Sequence, residues 1–353
     1  MVSEPLRRRL FRIAYSSSTT GSSLQTRLEL PKTVLGRKIF KSKIMTNSYA
    51  WLNQIKGKVL KDEMMSAYTS MRIGGPADVF IFPNDAADIQ TIFNNLSGNR
   101  LLVLGEGTNL LVPDKGIRGV VVCLKDSFKN VESPQFFKTS SGEDRAILRA
   151  GAGVKLSYLA KYAARFSLTG IERLVGIPGS LGGSLIMNAG AEGTEIGQVV
   201  RSITRVNSKG EIEKIKGEDL KFHYRKTQFP EGKGSGIVIE AELELAKGKV
   251  DEIHEKINQH LSRRSATQPL TLPNSGSVFK NPPDDKAGRL IEEAGLKGYT
   301  IGGAGVSIKH SNFIVNKDNA SADDVLQLID HIKNVVLEKS GIKLETEIVI
   351  AKG

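Results

Sequence analysis

The sequence has one cysteine, Cys123, one tryptophan and five histidines in 353 residues. A single cysteine excludes a disulfide within the chain, and so few cysteines and histidines leave no recognisable set of metal ligands. Cys123 lies in an apolar run, residues 120–124, which favours a buried core thiol and is compatible with a reducing cytoplasm. No apolar run approaches the roughly 20 residues of a membrane span. The sequence therefore predicts a cytoplasmic protein without a membrane partner.

The net charge of +12 is concentrated at the N-terminus, where residues 1–50 hold ten Lys and Arg but only two acids. The rest of the chain is nearly balanced, so the charge does not indicate nucleic-acid binding. Residues 1–50 are rich in Ser and Arg, which is typical of a disordered extension, of an organelle transit peptide, or of translated sequence upstream of a start at Met45. We expect disorder or a mis-assigned start rather than a transit peptide.

Hydrophobic periodicity predicts a mixed order of helices and strands, and the length suggests two or three domains. The boundaries fall near residues 125 and 248, which gives units 51–125, 126–247 and 248–353. A short amphipathic segment with helical spacing is predicted over 51–59, and a long glycine-rich loop over 170–193. The predicted helices are 85–96, 155–166, 250–264, 287–294 and 321–339, and the predicted strands include 79–82, 100–104, 196–206, 211–215, 237–245 and 344–351.

Glycine-rich loops are the first functional signal. Residues 105–109 and 176–184 are such loops, and glycine lets backbone N–H groups approach phosphate oxygens without a Cβ in the way. Neither loop matches a dinucleotide fingerprint or a P-loop, so each alone could be a structural turn. Together with residues 72–75 and 187–190, they indicate a large extended ligand that lies along two small domains.

A second signal is a set of polar and charged residues that no packed core requires. Ser277 lies in the polar segment 274–282, Arg225 lies upstream, and Glu345 and Glu347 lie near the C-terminus. A hydroxyl proton donor beside a fixed positive charge and a carboxylate suits a reaction in which a carbon next to a carboxylate must be protonated. The two glutamates are two residues apart on a predicted strand, so they are expected on one face and spacing cannot choose between them.

These motifs, in this order, resemble those of the UDP-N-acetylenolpyruvoylglucosamine reductase (UDP-N-acetylmuramate dehydrogenase) family of peptidoglycan synthesis, from about residue 51 to the C-terminus. The resemblance implies an α+β protein: an FAD-binding fold of the vanillyl-alcohol-oxidase (PCMH) type in two subdomains, with a C-terminal α+β substrate domain. It implies non-covalent FAD that is reduced by NADPH and then reduces UDP-N-acetylglucosamine enolpyruvate. A monomer without a nucleic-acid partner is expected.

The resemblance also implies residue roles. The catalytic residues would be Arg225, which faces the substrate carboxylate, Ser277, which donates a proton, and Glu347, for which we expect a raised pKa. The substrate would contact Tyr224, Arg264, Lys280 and Asn281, although Arg264 could instead be a cation at a helix C-terminus. FAD would contact Arg72, Gly74, Gly75, Gly105, Glu106, Gly107, Thr108, Asn109, Leu110, Ile177, Pro178, Gly179, Ser180, Gly182, Gly183, Asn188, Ala189 and Gly190.

One departure from the family pattern and two alternative functions remain open. Only 51 residues separate Arg225 and Ser277, which resembles the family branch without an inserted tyrosine loop, and Tyr299 or residues 302–305 could replace that loop. Another FAD-dependent oxidoreductase of the same fold, acting on an alcohol or hydroxy acid, is the nearest alternative. Many such enzymes tether FAD through His or Cys, which residues 72–116 and 176–190 lack. A nucleic-acid-binding protein would instead depend on residues 1–44.

Overall fold

The computed structural model describes residues 49–96, 98–230 and 236–353. Met45 and nearly all of the predicted extension, residues 1–50, lie outside the described residues. No described helix is long and apolar enough to cross a membrane. The α-helices are α1 (Ala86–Asn95), α2 (Leu156–Arg165), α3 (Leu181–Ile186), α4 (Val250–Thr267), α5 (Ala287–Glu293) and α6 (Ala322–Ser340).

The N-terminal part of the described chain forms a four-stranded sheet. Its strand order is β1-β2-β5-β3, with β1 antiparallel to β2 and the other pairs parallel. Val79 and Ile81 pack in one core and Phe80 packs in another, so both faces of the sheet are buried. Burial on both faces explains why β2 has a nearly continuous apolar sequence. The strands of this sheet are β1 (Lys58–Met64), β2 (Pro76–Phe82), β3 (Leu101–Leu104) and β5 (Ile117–Cys123), and the short strand β4 (Leu110–Leu111) lies outside it.

The middle part forms a larger antiparallel sheet of order β12-β11-β15-β7-β6, with β8 paired to β15. Two small hairpins, β9–β10 and β13–β14, accompany it. The strands predicted over 196–206 and 211–215 overlap β11 and β12, which pair antiparallel with each other. The strands are β6 (Gln135–Lys138), β7 (Asp144–Gly151), β8 (Leu168–Thr169), β9 (Gly190–Ala191), β10 (Thr194–Glu195), β11 (Val200–Asn207), β12 (Ile212–Lys216), β13 (Lys221–His223), β14 (Lys226–Gln228) and β15 (Gly236–Lys247).

The C-terminal part combines helices α5 and α6 with an antiparallel sheet of order β16-β19-β18-β17. Helix α6 begins with a capping box, in which Ser321 and Asp324 each accept the other's backbone N–H at 3.0 Å. The last strand lies outside this sheet and pairs in parallel with β4 as a separate two-stranded sheet, so the C-terminus returns to the N-terminal part of the described chain. The strands are β16 (Asn274–Ser277), β17 (Thr300–Ile301), β18 (Ala304–Val306), β19 (Phe313–Asn316) and β20 (Val349–Ile350).

Two predicted elements are wrong, one at the start of the described chain and one in its middle. The segment 51–59 is not one helix, because a 3-10 helix ends at Gln54 and β1 begins at Lys58. Gly57 separates them, and a Cβ there would lie 2.0 Å from the carbonyl oxygen of Phe82, so the chain passes tightly against β2. The predicted loop 170–193 contains a 3-10 helix and α3.

The strand predicted over 344–351 is also wrong, since only Val349 and Ile350 are assigned to it. The backbone N–H of Glu347 donates to Val278 at 2.8 Å, and that of Val349 donates to Asn109 at 3.1 Å. The segment therefore changes its pairing partner, and the alternation of a regular strand does not apply. The side chain of Glu345 is 72% exposed and that of Glu347 is 16% exposed, so they do not share a face.

The predicted domain limits stay a proposal. Helix α4, which that proposal places at the start of the third unit, packs Ile253 and Ile257 in the core of the middle sheet. Helices α5 and α6 pack in a separate core with the C-terminal sheet. Cys123 is buried between apolar neighbours, and burial raises the pKa of its thiol to about 11, which agrees with the predicted core role.

Candidate active site

A cavity of about 620 Å³ is lined by the glycine-rich loops, by the end of α4 and by residues of the C-terminal part. Arg225, Ser277 and Glu347, which are far apart in the sequence, all line it. The three residues predicted as catalytic are therefore brought together, while their roles stay predictions.

Arg225 occupies the tip of the β13–β14 hairpin. Its φ is +60°, which is unusual for a residue with a side chain and costs about 1–3 kcal/mol. Its Nε donates to Oε1 of Glu347 at 2.6 Å, and its guanidinium lies 4.7 Å from the ring centre of Tyr224. Within the described residues the two terminal nitrogens have no acceptor, so they are available to grip a ligand carboxylate.

Glu347 is held by its main chain and by its side chain. Its N–H donates to Val278, and its carbonyl accepts from Nδ2 of Asn109 at 3.3 Å. Burial raises the pKa of Glu347, and the opposing charges of Arg225 and then Lys280 do not cancel that effect. The direction is the one predicted from the sequence, so Glu347 retains a proton to a higher pH than an exposed glutamate does.

Ser277 ends strand β16 beside an irregular turn. Gly276 before it has φ +78°, and a side chain there would meet nothing within 4 Å. Ser277 pairs with Phe313 of β19. After it, the amide of Asn312 binds both the N–H and the carbonyl of Phe279, at 2.9 and 2.8 Å. This fixed backbone on the C-terminal side sets where the Ser277 hydroxyl lies in the cavity wall.

The loop 105–109 is the best candidate for a phosphate cradle. Two of its carbonyls are occupied, since the backbone N–H of Ser70 donates to Gly107 and that of Val349 donates to Asn109. In the part of the chain that the structure describes, the N–H groups of residues 106–109 donate to no protein acceptor, which leaves them for an anionic ligand. Gly107 has φ +63°, and a Cβ there would lie 2.0 Å from the Tyr68 carbonyl oxygen.

The second glycine-rich loop is built differently. Its helix α3 is capped by Ser180, whose hydroxyl accepts from the N–H of Gly183. The N–H groups of Leu181 and Gly182 donate to the carbonyls of Val154 and Ala152, both at 2.8 Å. These N–H groups are therefore not free for phosphate. The loop still forms the cavity wall and is joined to the first loop by Thr108 Oγ1, which donates to Pro178 at 3.0 Å.

Most predicted FAD contacts line the cavity, including Glu106, whose buried Oε1 lacks a partner among the described residues. Gly74, Gly75 and Asn188 do not line it. A Cβ at Gly75 would lie 1.9 Å from the carbonyl oxygen of Asp114, so tight packing explains that glycine. The lining members are Gly105, Glu106, Gly107, Thr108, Asn109, Leu110, Ile177, Pro178, Gly179, Ser180, Gly182, Gly183, Ala189 and Gly190.

Asn188 serves the fold through its buried side chain. Its Nδ2 donates to Glu195 at 2.6 Å and to His223 at 3.1 Å, and its Oδ1 accepts from Gly197. Arg72 lines a second cavity of about 320 Å³. Arg264 lines both cavities, so these two arginines lie along one connected surface.

Of the residues predicted to contact substrate, Arg264 has the clearest signature. Its guanidinium has no partner among the described residues, and burial alone lowers its pKa. It lies in the last turn of α4 and makes no bond to the last carbonyls there, so the alternative role as a helix C-terminal cation would rest on the helix dipole alone. Tyr224, Lys280 and Asn281 lie outside the cavity lining.

These three residues have structural contacts of their own. Lys280 binds Glu345 at 3.2 Å, the amide of Asn281 accepts from Ala287 at the start of α5, and the Tyr224 hydroxyl is 3.5 Å from the Asn281 nitrogen. The candidates for the missing tyrosine loop also lie outside the lining. Tyr299 stacks on His331 with ring centres 4.4 Å apart.

Sequence reasoning named Arg264 but missed the rest of the cavity face of α4. His260, Arg263, Arg264 and Thr267 follow one another at helical spacing and all line the cavity. The available signal was that the apolar stripe of this helix, marked by buried Ile253 and Ile257, becomes polar in its second half. Ser275 was also missed: it is 2% exposed, lines the cavity, and its hydroxyl has no partner in the described chain.

Comparisons with known proteins agree with this geometry. A family model described as FAD binding domain matches residues 77–216, and one described as UDP-N-acetylenolpyruvoylglucosamine reductase, C-terminal domain, matches residues 268–351. A reductase of that name from Caldanaerobacter subterraneus is 44% identical over 84% of this chain and 94% of its own length. One from Heliobacterium modesticaldum is 43% identical over 83% of this chain and 90% of its own length.

Among solved structures, the UDP-N-acetylenolpyruvylglucosamine reductase of Thermus caldophilus is 31% identical, with a TM-score of 0.68 over 84% of this chain and all of that chain. The predicted fold class, an FAD-binding fold of the vanillyl-alcohol-oxidase (PCMH) type with a C-terminal α+β domain, is confirmed by this neighbour and by the two family models. The identities and the shared lengths show that this chain belongs to the UDP-N-acetylenolpyruvoylglucosamine reductase family.

Proposed function

We propose that the protein reduces UDP-N-acetylglucosamine enolpyruvate to UDP-N-acetylmuramate in peptidoglycan precursor synthesis, with NADPH as reductant and non-covalent FAD. The observation that supports this most is the meeting of Arg225, Ser277 and Glu347 at one cavity together with the loop 105–109. A hydroxyl, a guanidinium and a carboxyl beside a cradle for a phosphate ester match the needs of that reaction.

The residues present fit FAD. The free N–H groups of residues 106–109 would hold its diphosphate, and the joined loops around Thr108 and Pro178 would form the wall along it. When bound, FAD supplies the hydride for the vinyl carbon of the substrate. The chain's own residues bind, orient and protonate the substrate.

Arg225 holds the substrate carboxylate through its two terminal nitrogens, while its Nε stays on Glu347. This arrangement fixes the plane of the guanidinium, because one donor is anchored by a residue of the C-terminal part. As hydride adds to the vinyl carbon, negative charge spreads into the carboxylate, and a fixed guanidinium stabilises that charge without having to reorganise.

Ser277 donates its hydroxyl proton to the carbon next to the carboxylate. A carbanion conjugated with a carboxylate is basic enough to take a hydroxyl proton, and the rigid backbone around Phe279 keeps the donor in place. Glu347, with its raised pKa, carries a proton at a higher pH than an exposed glutamate and can share it with the developing enolate oxygens.

The test is NADPH consumption by the purified protein with and without UDP-N-acetylglucosamine enolpyruvate. Fast oxidation of NADPH only in the presence of the sugar nucleotide, with UDP-N-acetylmuramate as product, is the expected result. The rival oxidoreductase would instead act on an alcohol or hydroxy acid. Acid precipitation tests whether FAD is covalently attached. A colourless protein pellet is expected, and yellow colour kept on the polypeptide would contradict non-covalent FAD.

A further inference from the structure

The tip of the β9–β10 hairpin meets three basic side chains at the cavity. Oε1 of Glu192 lies 2.8 Å from Nη1 of Arg263, and its Oε2 lies 3.2 Å from Nδ1 of His260. The backbone carbonyl of Glu192 accepts from Nη1 of Arg173 at 2.8 Å. All four residues line the cavity. One acidic residue of the chain thus occupies the place where three basic groups converge.

The turn itself does not require a glutamate. Glu192 and Gly193 are the two central residues of the hairpin, with φ +51° and +79°. Such turns favour Asn, Asp or Gly at both central positions, and a longer side chain in this region carries a conformational cost. The carboxylate of Glu192 therefore serves the contacts across the cavity rather than the local backbone.

The basic groups are arranged along one helix face. His260 and Arg263 are three residues apart on α4, and Arg264, whose guanidinium has no partner in the described residues, follows on the same side. Arg173 reaches the hairpin from the 3-10 helix Glu172–Gly176. If the Glu192 side chain turned away, the remaining groups would present a concentrated positive charge to the cavity.

The contact of Glu192 with Arg263 is weak enough to exchange. The Arg263 side chain is 69% exposed and that of Glu192 is 37% exposed. Exposed ion pairs of this kind contribute about 0.2–1 kcal/mol, because water and salt screen them. A phosphate ester carries more charge and more acceptor oxygens than a carboxylate, and arginine binds it with two parallel hydrogen bonds.

We infer that Arg173, His260 and Arg263 form a phosphate subsite for a nucleotide that enters and leaves the cavity, and that Glu192 occupies this subsite until the phosphate displaces it. The inference rests on the proposed function, in which two nucleotides, NADPH and the UDP sugar, use the cavity in turn. The diphosphate of the resident FAD has a separate cradle in the free N–H groups of residues 106–109.

The decisive variant is Glu192→Asn, because asparagine suits the turn and removes the competing charge. Glu252→Asn is the matched control: it removes an exposed carboxylate paired with Lys249 at 2.9 Å at the other end of α4. The measurement is the Kd of the FAD-loaded protein for NADP⁺, NAD⁺ and UDP at low salt, by calorimetry. Glu192→Asn should tighten at least one of them about two- to five-fold, the value of the released ion pair.

Arg263→Gln should weaken binding of the same nucleotide. The probes then distinguish the reductant from the substrate as the source of the phosphate. A change for NADP⁺ and not UDP assigns the subsite to the reductant, and a change for UDP alone assigns it to the substrate. Unchanged affinity for all three, an equal change in Glu252→Asn, or an altered Kd for FAD would each overturn the inference. Turnover of the wild-type protein is measured in parallel, so that absent activity with a shifted nucleotide Kd counts against the proposed function and not against the subsite.

Discussion

Nε of Arg225 donates a hydrogen bond of 2.6 Å to Oε1 of Glu347, across 122 positions of sequence. Arg225 lies at the tip of the β13–β14 hairpin, and Glu347 lies where the C-terminal chain turns back towards β4. The contact fixes the guanidinium from a different part of the fold. The first predictions concern this pair.

Glu347→Gln should lower kcat by about 10²–10³, the usual loss when one preorganised group that stabilises developing charge is removed. The glutamine retains the size of the side chain and can still accept from Arg225, so the protein should fold. Steady-state kinetics with the enolpyruvyl sugar nucleotide measures the effect. Glu345→Gln is the control, since its side chain is 72% exposed, and it should leave kcat nearly unchanged.

The raised pKa of Glu347 also predicts a pH dependence of stability. The folded chain binds this proton more tightly than the unfolded chain, so the contribution is fully present below the ordinary glutamate pKa of 4.5 and is lost as pH rises through the raised value. Urea unfolding of wild type and Glu347→Gln at several pH values should therefore show the wild type losing stability relative to the variant as pH rises. A constant difference, or an NMR titration with an ordinary pKa, would contradict this.

Ser277→Ala should block protonation of the substrate while leaving reduction of the bound flavin by NADPH intact. Loss of a positioned proton donor costs about 10²–10⁴ in rate. Stopped-flow measurement of each half-reaction separates the two steps. Ser340→Ala, at the exposed end of α6, is the control for removal of a hydroxyl. Equal slowing of both half-reactions in Ser277→Ala would argue for a general defect of the site.

Arg225→Lys retains the positive charge but loses the planar fork that holds both Glu347 and the substrate carboxylate. We expect kcat/KM to fall by about 10²-fold, a magnitude typical of a lost preorganised donor. The same substitution at Arg201, which pairs with Glu244 on the surface at 3.1 Å, should have little effect. An active Arg225→Lys enzyme would mean that charge alone suffices.

Gly107→Ala and Gly142→Ala form a matched pair, because both glycines have a positive φ, +63° and +84°. A Cβ at Gly107 would lie 2.0 Å from the Tyr68 carbonyl oxygen, whereas a Cβ at Gly142 meets nothing within 4 Å. Gly107→Ala should lose bound FAD and about 1–3 kcal/mol more stability than Gly142→Ala, since the loop must shift. Thermal unfolding and flavin content measure this. Equal losses would show that φ alone matters.

Secondary structure that depends on residues close together in the sequence could be predicted from the sequence. The helix predicted over 321–339 is confirmed as α6, whose start is marked by a capping box between Ser321 and Asp324, residues only three positions apart. Helices α2 and α4 were predicted for the same kind of reason, from apolar spacing within one segment. The strand over residues 344–351 was not, because its pairing partners lie in two distant parts of the chain.

The candidate site shows the same division between what the sequence predicted and what the tertiary structure decided. Residue types and motif order were enough to name a hydroxyl, a guanidinium and a carboxyl, and to indicate the glycine-rich loops 105–109 and 176–184 without choosing between them. Only the tertiary structure separated Glu347 from the exposed Glu345, and only it brought Glu192 to Arg263. The physical reason is that a sequence specifies which groups exist and how neighbours along the chain are spaced, whereas burial and the partner of a charge depend on segments that meet only when the sheets pack.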